Sequence, residues 1–243
     1  MIAAVHCSGT GPSHVKEASN AVLARVNQFE AASKLKRPPG DKEPVGLQWS
    51  NIRIENMLGS GSFSVVYKSK VSKLGNNGDT DNDNCYYALK SLSTETICCN
   101  DSFVTGAIDL ALEAKILSKL YHENIIQLHG VKAGNIAESF SQAGGFFLVL
   151  DLLEETLDVR LERWRQEESQ KGFSVKTFFS SRKQRAQKRL EAMVDRLDNV
   201  VMGVVRGMEY IHSNNIVLRD LKVRYHYESA VECCAVQCSS YAQ

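Results

Sequence analysis

The chain has 243 residues, of which 43% are hydrophobic and 23% charged, with a formal net charge of +1. That is enough chain for one large domain or two small ones, and enough apolar side chain for a core, while the near-neutral balance excludes a global pull toward nucleic acid or a membrane surface. The longest strongly apolar run, Phe146 to Leu150, is far too short to cross a bilayer, and the start lacks a basic-then-apolar signal pattern, so an intracellular, cytoplasmic protein is expected.

Residues 1–46 read as a leader whose C-terminal end, "KRPPGDKEPVG", is a linker by composition. Within it Val15, Ala18, Val22, Val26 and Phe29 recur at helical spacing, which predicts one amphipathic helix. From Gln48 the pattern becomes two-residue alternation: "WSNIRIENMLGSG" and "SFSVVYKSKV" predict a β-hairpin around a Gly-rich turn. "GNNGDTDNDN" is a solvated loop. "CYYALKSL" is a third strand, and "DLALEAKILSKL" puts Leu110, Ala114, Leu117 and Leu120 on one helix face. "IIQLHGVKA" and "GGFFLVLDLL" are two more strands, so residues 47–153 are expected to form an α+β lobe, a five-stranded antiparallel sheet with one helix.

Residues 154–196 are polar and helical, an insertion by composition. Seven basic residues fall between Lys171 and Arg189 with no acid among them. A solvated face explains that run, and a nucleic-acid or membrane-surface patch is the alternative. The segment 197–222 opens with a helix meant to be buried, with a stripe of Leu197, Val201, Val204, Met208 and Ile211 widened by Val200 and Val205. Seven cysteines at irregular spacing do not make a disulfide framework and favour reduced thiols. Cys233, Cys234 and Cys238, with His226, fit none of the common zinc spacings.

Four features carry chemistry. In "LGSGSFSVVY" the glycines can bring backbone N–H groups against phosphate oxygens, although a Gly-rich turn is equally a plain hairpin. Lys90 ends an apolar strand after the small Ala88, where a lysine ordinarily snorkels to water. Glu113, ordinarily a solvated helical acid, can reach Lys90. Asp220 lies in "IVLRDLK".

In that order and spacing, these features resemble the eukaryotic protein kinases, and Lys222 after Asp220 resembles the serine/threonine type. The resemblance covers about 47–222, interrupted by the charged segment, and implies ATP, magnesium and a protein substrate. It implies that Gly59, Ser60, Gly61, Ser62, Phe63 and Ser64 form the flap over the ATP phosphates, with Ser64 where a third glycine is usual. Leu58, Val66 and Ala88 would sandwich adenine. Lys90 would hold the α- and β-phosphates and pair with Glu113. Leu150 would gate the back of the pocket, and the Asp151 carbonyl and Leu153 N–H would meet the adenine edge. Asp220 would accept the substrate hydroxyl's proton and Lys222 would steady the transferred phosphate.

The sequence also departs from that family. Leu218 replaces the histidine before Arg-Asp, Val223 the proline, and Tyr225 the magnesium-binding asparagine. Residues 221–243 contain no Asp, Asn or Gly, so the second magnesium ligand is missing too. The change after Lys222 is abrupt, as if a reading frame or exon were misjoined, and 223–243 read as a tail foreign to the family. The chain is therefore expected to bind ATP weakly, without turnover, its protein ligands for magnesium being absent. A non-catalytic pseudokinase scaffold is the alternative; a nucleic-acid module built on 171–189 is a weaker one. The apolar stripe on 197–211 is expected to bind a partner or a second copy.

Overall fold

The computed structural model describes residues 12–33, 35–37, 40, 43–72, 74, 85–140, 145–153, 155–170 and 182–217. The Asn/Asp-rich loop at 75–84, most of the basic run at 171–181, and everything from Leu218 onward, including Asp220, Lys222, Tyr225 and the Cys233–Cys238 group, lie outside the described residues. The chain divides into two units. Among the described residues, one takes the chain to Tyr121 and Gln127–Leu152, the other His122–Ile126 and the residues between Leu153 and Val217.

The first unit is built on six strands: β1 (Val45–Leu47), β2 (Ile52–Ser60), β3 (Ser64–Val71), β4 (Tyr86–Leu92), β5 (Leu128–Lys132) and β6 (Phe147–Asp151), in the order β1-β5-β6-β4-β3-β2. The five expected strands pair antiparallel throughout. The sixth, β1, was not expected. It runs parallel to β5 at the sheet edge, with Leu47 opposite Lys132, and makes the sheet mixed. Val45 and Gly46 belong to a segment whose prolines, glycines and charges read as linker. What makes it a strand is non-local: Leu47 is fully buried in a cluster with Val71, Leu89, Phe147 and Val149, and Gly130 on β5 leaves room for it. Trp49 seals that cluster, its ring edge-on to Phe147 at 4.7 Å and its Nε1 donating to the Gly145 carbonyl at 3.1 Å.

Two longer helices belong to this unit, α1 (Pro12–Ala32) and α3 (Asn100–Leu117), with the short α2 (Thr94–Cys98) and α4 (Ile136–Ser139) between strands. Ser93 caps α2, its Oγ accepting from the Thr96 N–H, and Asn135 caps α4 in the same way through Ala137. The helix expected in the leader is α1, and Ala18, Val22 and Val26 are its buried line. It is no detached arm. It packs on α3 and α4, Ser19 Oγ donates to the Ala137 carbonyl at 2.8 Å, and Lys115 pairs with Glu30 at 2.8 Å. Cys85 and Cys99 are free, exposed thiols, whereas Cys98 is disulfide-bonded, so the expectation of reduced thiols does not extend to it.

In the second unit α5 (Leu157–Gln170) and α6 (Arg182–Ser213) are joined through Arg196, which reaches Glu167 at 3.4 Å and lies over the Trp164 ring. Glu155 pairs with Arg160 and Arg163 ahead of that contact. The helix expected over 197–211 is the C-terminal half of the 32-residue α6. Its buried line is narrower than the expected stripe, with Leu197, Val204 and Met208 partly buried. Val200 and Ile211 are buried with Gly203 and Gly207, whereas Val201 and Val205 are about half exposed. Asn215, at φ 59°, ends the helix in the left-handed conformation that asparagine tolerates.

Candidate functional site

The candidate residues of the first unit converge on one face of its sheet. Val66 pairs with Lys90 across β3 and β4, and Ala88 pairs with Leu150 across β4 and β6. Cross-strand partners and i, i+2 neighbours share a face, so Val66, Ala88, Lys90 and Leu150 point the same way. The alternate residues Leu89, Phe147 and Val149 fill the opposite, packed face. Ala88 is buried, and its single methyl keeps the strand thin where larger side chains would project.

Beside this face the β2–β3 hairpin closes with the Gly61 N–H donating to the Ser64 carbonyl at 2.7 Å. Gly59 and Gly61 do not have positive φ, so no backbone conformation here demands glycine. Their effect is steric. A Cβ at Gly59 would meet nothing within 4 Å, which leaves the backbone on that side uncovered. Ser60 and Ser62 are exposed, and Leu58 is 44% exposed just where the register slips between Met57 and Gly59. The tip is anchored rather than loose. The Phe63 carbonyl accepts from the Ser93 N–H at 3.0 Å, and Gly106 on α3 leaves room for the Phe63 side chain.

Lys90 and Glu113 meet. Lys90 Nζ lies 2.6 Å from Oε2 and 2.8 Å from Oε1 of Glu113, with side-chain exposures of 16% and 9%. Two N–H groups of the ammonium serve the carboxylate, which leaves one for a ligand. Removing one partner of so buried a pair strands the other charge and typically costs about 3–5 kcal/mol. A third charge is present that sequence reasoning missed. Asp109 stands one turn before Glu113, and burial first, then the Glu113 charge, push its carboxyl above the ordinary value while Lys90 opposes the rise. Its i, i+4 spacing puts it beside Glu113, but that spacing carries no sign of the burial that sets Asp109 apart.

Asp151 also does something the sequence did not disclose. Its carboxylate ties β6 to β5, with Oδ1 2.5 Å from His129 Nε2 and Oδ2 accepting from the Gln127 N–H at 2.7 Å. Its own N–H donates to the Gln127 carbonyl at 3.2 Å. Burial, then Cys85 and Asp151, raise the nearby Tyr87 hydroxyl. The division between the units falls immediately afterwards, so Leu153, half-buried, belongs to the second unit. Among the described residues no group of three His, Cys, Asp or Glu side chains could hold a metal, and no helix is long and apolar enough to cross a membrane.

Residues 52–224 match the protein kinase domain model. Cyclin-dependent kinase 10 of Homo sapiens is 30% identical over 168 residues, covering 69% of this chain and 34% of the relative. A G-type lectin S-receptor-like serine/threonine-protein kinase of Arabidopsis thaliana is 27% identical over 71% of this chain and 16% of its own length. Serine/threonine-protein kinase PLK4 of Drosophila grimshawi is 26% identical over 70% of this chain and 17% of its own. The chain thus spans about a third or less of the length of these relatives.

Proposed function

Since the chain belongs to the eukaryotic protein kinase family, with relatives of the serine/threonine type, we propose that residues 1–243 hold ATP through the sheet face described above and do not turn it over. The observation that carries this is the Lys90–Glu113 ion pair, a buried cation with one N–H to spare beside a small-residue strand and an uncovered hairpin. ATP supplies the transferable phosphoryl group in this family. Ala88, with Val66 and Leu150, offers a flat apolar seat for a base; Lys90, oriented by Glu113, offers charge to phosphate oxygens; the Gly59–Ser64 segment offers backbone N–H groups to the same anion. In this reading Leu58 adds to the base seat, and the Asp151 carbonyl and Leu153 N–H serve the base edge. Asp220 and Lys222 stand at the family's base and phosphate-contact positions, which in this reading the chain does not use for turnover.

Magnesium does not fit as well. Its expected ligand position holds Tyr225, a phenol neutral at pH 7, and magnesium prefers carboxylate, carbonyl and water oxygens. Loss of one major electrostatic stabiliser of a transition state costs about 10²–10³ in rate, which makes a nucleotide-binding, non-catalytic role the preferred form of this function. The exposed apolar face of α6 is proposed to bind a second copy of the chain.

The deciding measurements are a thermal-shift titration with ATP, with and without Mg²⁺, and a transfer assay with radiolabelled γ-phosphate. The expected outcome is an ATP-dependent stabilisation lost in Lys90→Met, with no transfer by either protein. Transfer by residues 1–243 that disappears in Lys90→Met would replace this reading with an active kinase.

A further inference from the structure

A cleft lies in the first unit, away from the Lys90 face. It measures about 710 Å³, between α1, the C-terminal half of α3, β5 and the segment entering β1. That volume is in the range that takes small organic ligands. Its charge is lopsided. Among the described residues, Lys36, Arg37, Lys115, Lys119 and Lys132 line it against two acids, Glu30 and Glu43. Glu30 is already committed: it accepts from Lys115 at 2.8 Å, and that bond with the Lys119 charge holds its carboxyl below the ordinary value.

Two of the cations are tied by their own bonds to neutral acceptors among the described residues. Lys132 is only 5% exposed, and among the described residues its Nζ reaches neutral acceptors alone, Gln48 Oε1 at 2.8 Å and the Ala133 carbonyl at 3.3 Å. Arg37 donates through one terminal nitrogen to the Ser118 carbonyl at 2.9 Å, while its buried Nε has no hydrogen-bond partner among the described residues. A buried ammonium without an anion and a buried guanidinium nitrogen without an acceptor are each unfavourable in a closed protein interior. Both residues line the cleft, where the third N–H of Lys132 and the terminal nitrogens of Arg37 are the groups an oxyanion would meet. The same cleft carries apolar wall from Val26, Leu35 and Phe146, so it suits an anion attached to an apolar body.

We propose that this cleft binds a small organic phosphate, its phosphoryl oxygens on Lys132 and Arg37 and its apolar part against Val26, Leu35 and Phe146. Charge-assisted bonds of this kind are the strong ones in a partly dry site. The site is independent of the nucleotide face. It nevertheless abuts α3, the helix that carries Glu113, through Lys115 and the Arg37–Ser118 bond.

The test is a calorimetric titration of the full chain with phenyl phosphate, with inorganic phosphate and benzyl alcohol as partial ligands. The expected result is one saturable site for phenyl phosphate, with each partial ligand weaker. Arg37→Gln and Lys132→Gln should each weaken it by about tenfold or more, and Lys90→Met should not. Arg37→Gln serves as the working variant if Lys132→Gln does not fold, because Arg37 is only half-buried. No saturation, or saturation abolished by Lys90→Met and untouched by Arg37→Gln, overturns the proposal. ATP stabilisation in the Arg37→Gln protein is read in parallel, so that failure here is separable from failure of the nucleotide site.

Discussion

Lys90, Glu113 and Asp109 form a triangle in which one cation faces two acids, and only one acid is bonded to it. Asp109 is the strained member. Its folded-state proton affinity is raised by burial and by Glu113, so the folded protein holds that proton more tightly than the unfolded chain does. The stability this confers is complete below the unfolded value of about 3.9 and is lost as pH rises through the folded value. Asp109→Asn should therefore raise the thermal midpoint at pH 7, and the gain should shrink toward zero as the pH is lowered below about 4. Midpoints by scanning calorimetry across that range check it; a variant less stable than the parent at pH 7 would show that Asp109 is held by a favourable partner. Lys90 and Glu113 were legible in the sequence because a strand-ending lysine after a small residue and a helical acid downstream form a spaced pattern. Asp109 was not, because what singles it out is desolvation, and no spacing reports how dry a helix face becomes.

Among the elements, β1 shows what local pattern leaves out. Three residues in a proline- and glycine-bearing stretch have neither period nor propensity enough to announce a strand. Their partner, β5, lies over eighty positions away in sequence. The pairing depends on Gly130: a Cβ there would lie 2.6 Å from Leu47 Cδ1 and 3.0 Å from the Val45 carbonyl oxygen. The first contact is with a flexible tip, but the second is with backbone and cannot yield cheaply. Gly130→Ala should thus lever β1 away from β5 and destabilise the unit by about 1–3 kcal/mol, the usual cost of overpacking. Chemical denaturation measures the loss, and faster amide exchange at Leu47 and Ala133 would locate it, since the Ala133 N–H donates to the Leu47 carbonyl at 2.7 Å. An unchanged midpoint with unchanged exchange would mean that the edge absorbs the methyl. Helix α1 makes the complementary point. Its periodicity revealed both the helix and its apolar line, Ala18, Val22 and Val26, but not what that line covers, because α3 and α4 are specified elsewhere in the chain.

For the molecule as a whole, the balance at stake is between folding and association. Along α6, Leu190, Val194, Val201 and Val205 are each about half exposed or more, and at 100° per residue they fall within one narrow face. Each such side chain contributes about 1.5–3 kcal/mol when fully covered, so even partial cover by a second helix outweighs the modest charge repulsion of a chain with net charge +1. The sequence showed that an apolar stripe exists here. It placed Val200 and Ile211 correctly on the covered part but made the stripe too wide, since Val201 and Val205 lie outside it. Purified residues 1–243 should accordingly self-associate with rising concentration in static light scattering and bind an apolar-surface dye. The double substitution Val194→Glu, Val201→Glu should reduce both signals while changing unfolding free energy by no more than about 0.5 kcal/mol, as expected for exposed positions. A parent protein that scatters as a clean monomer and leaves the dye unbound would show that this face is solvated as it stands.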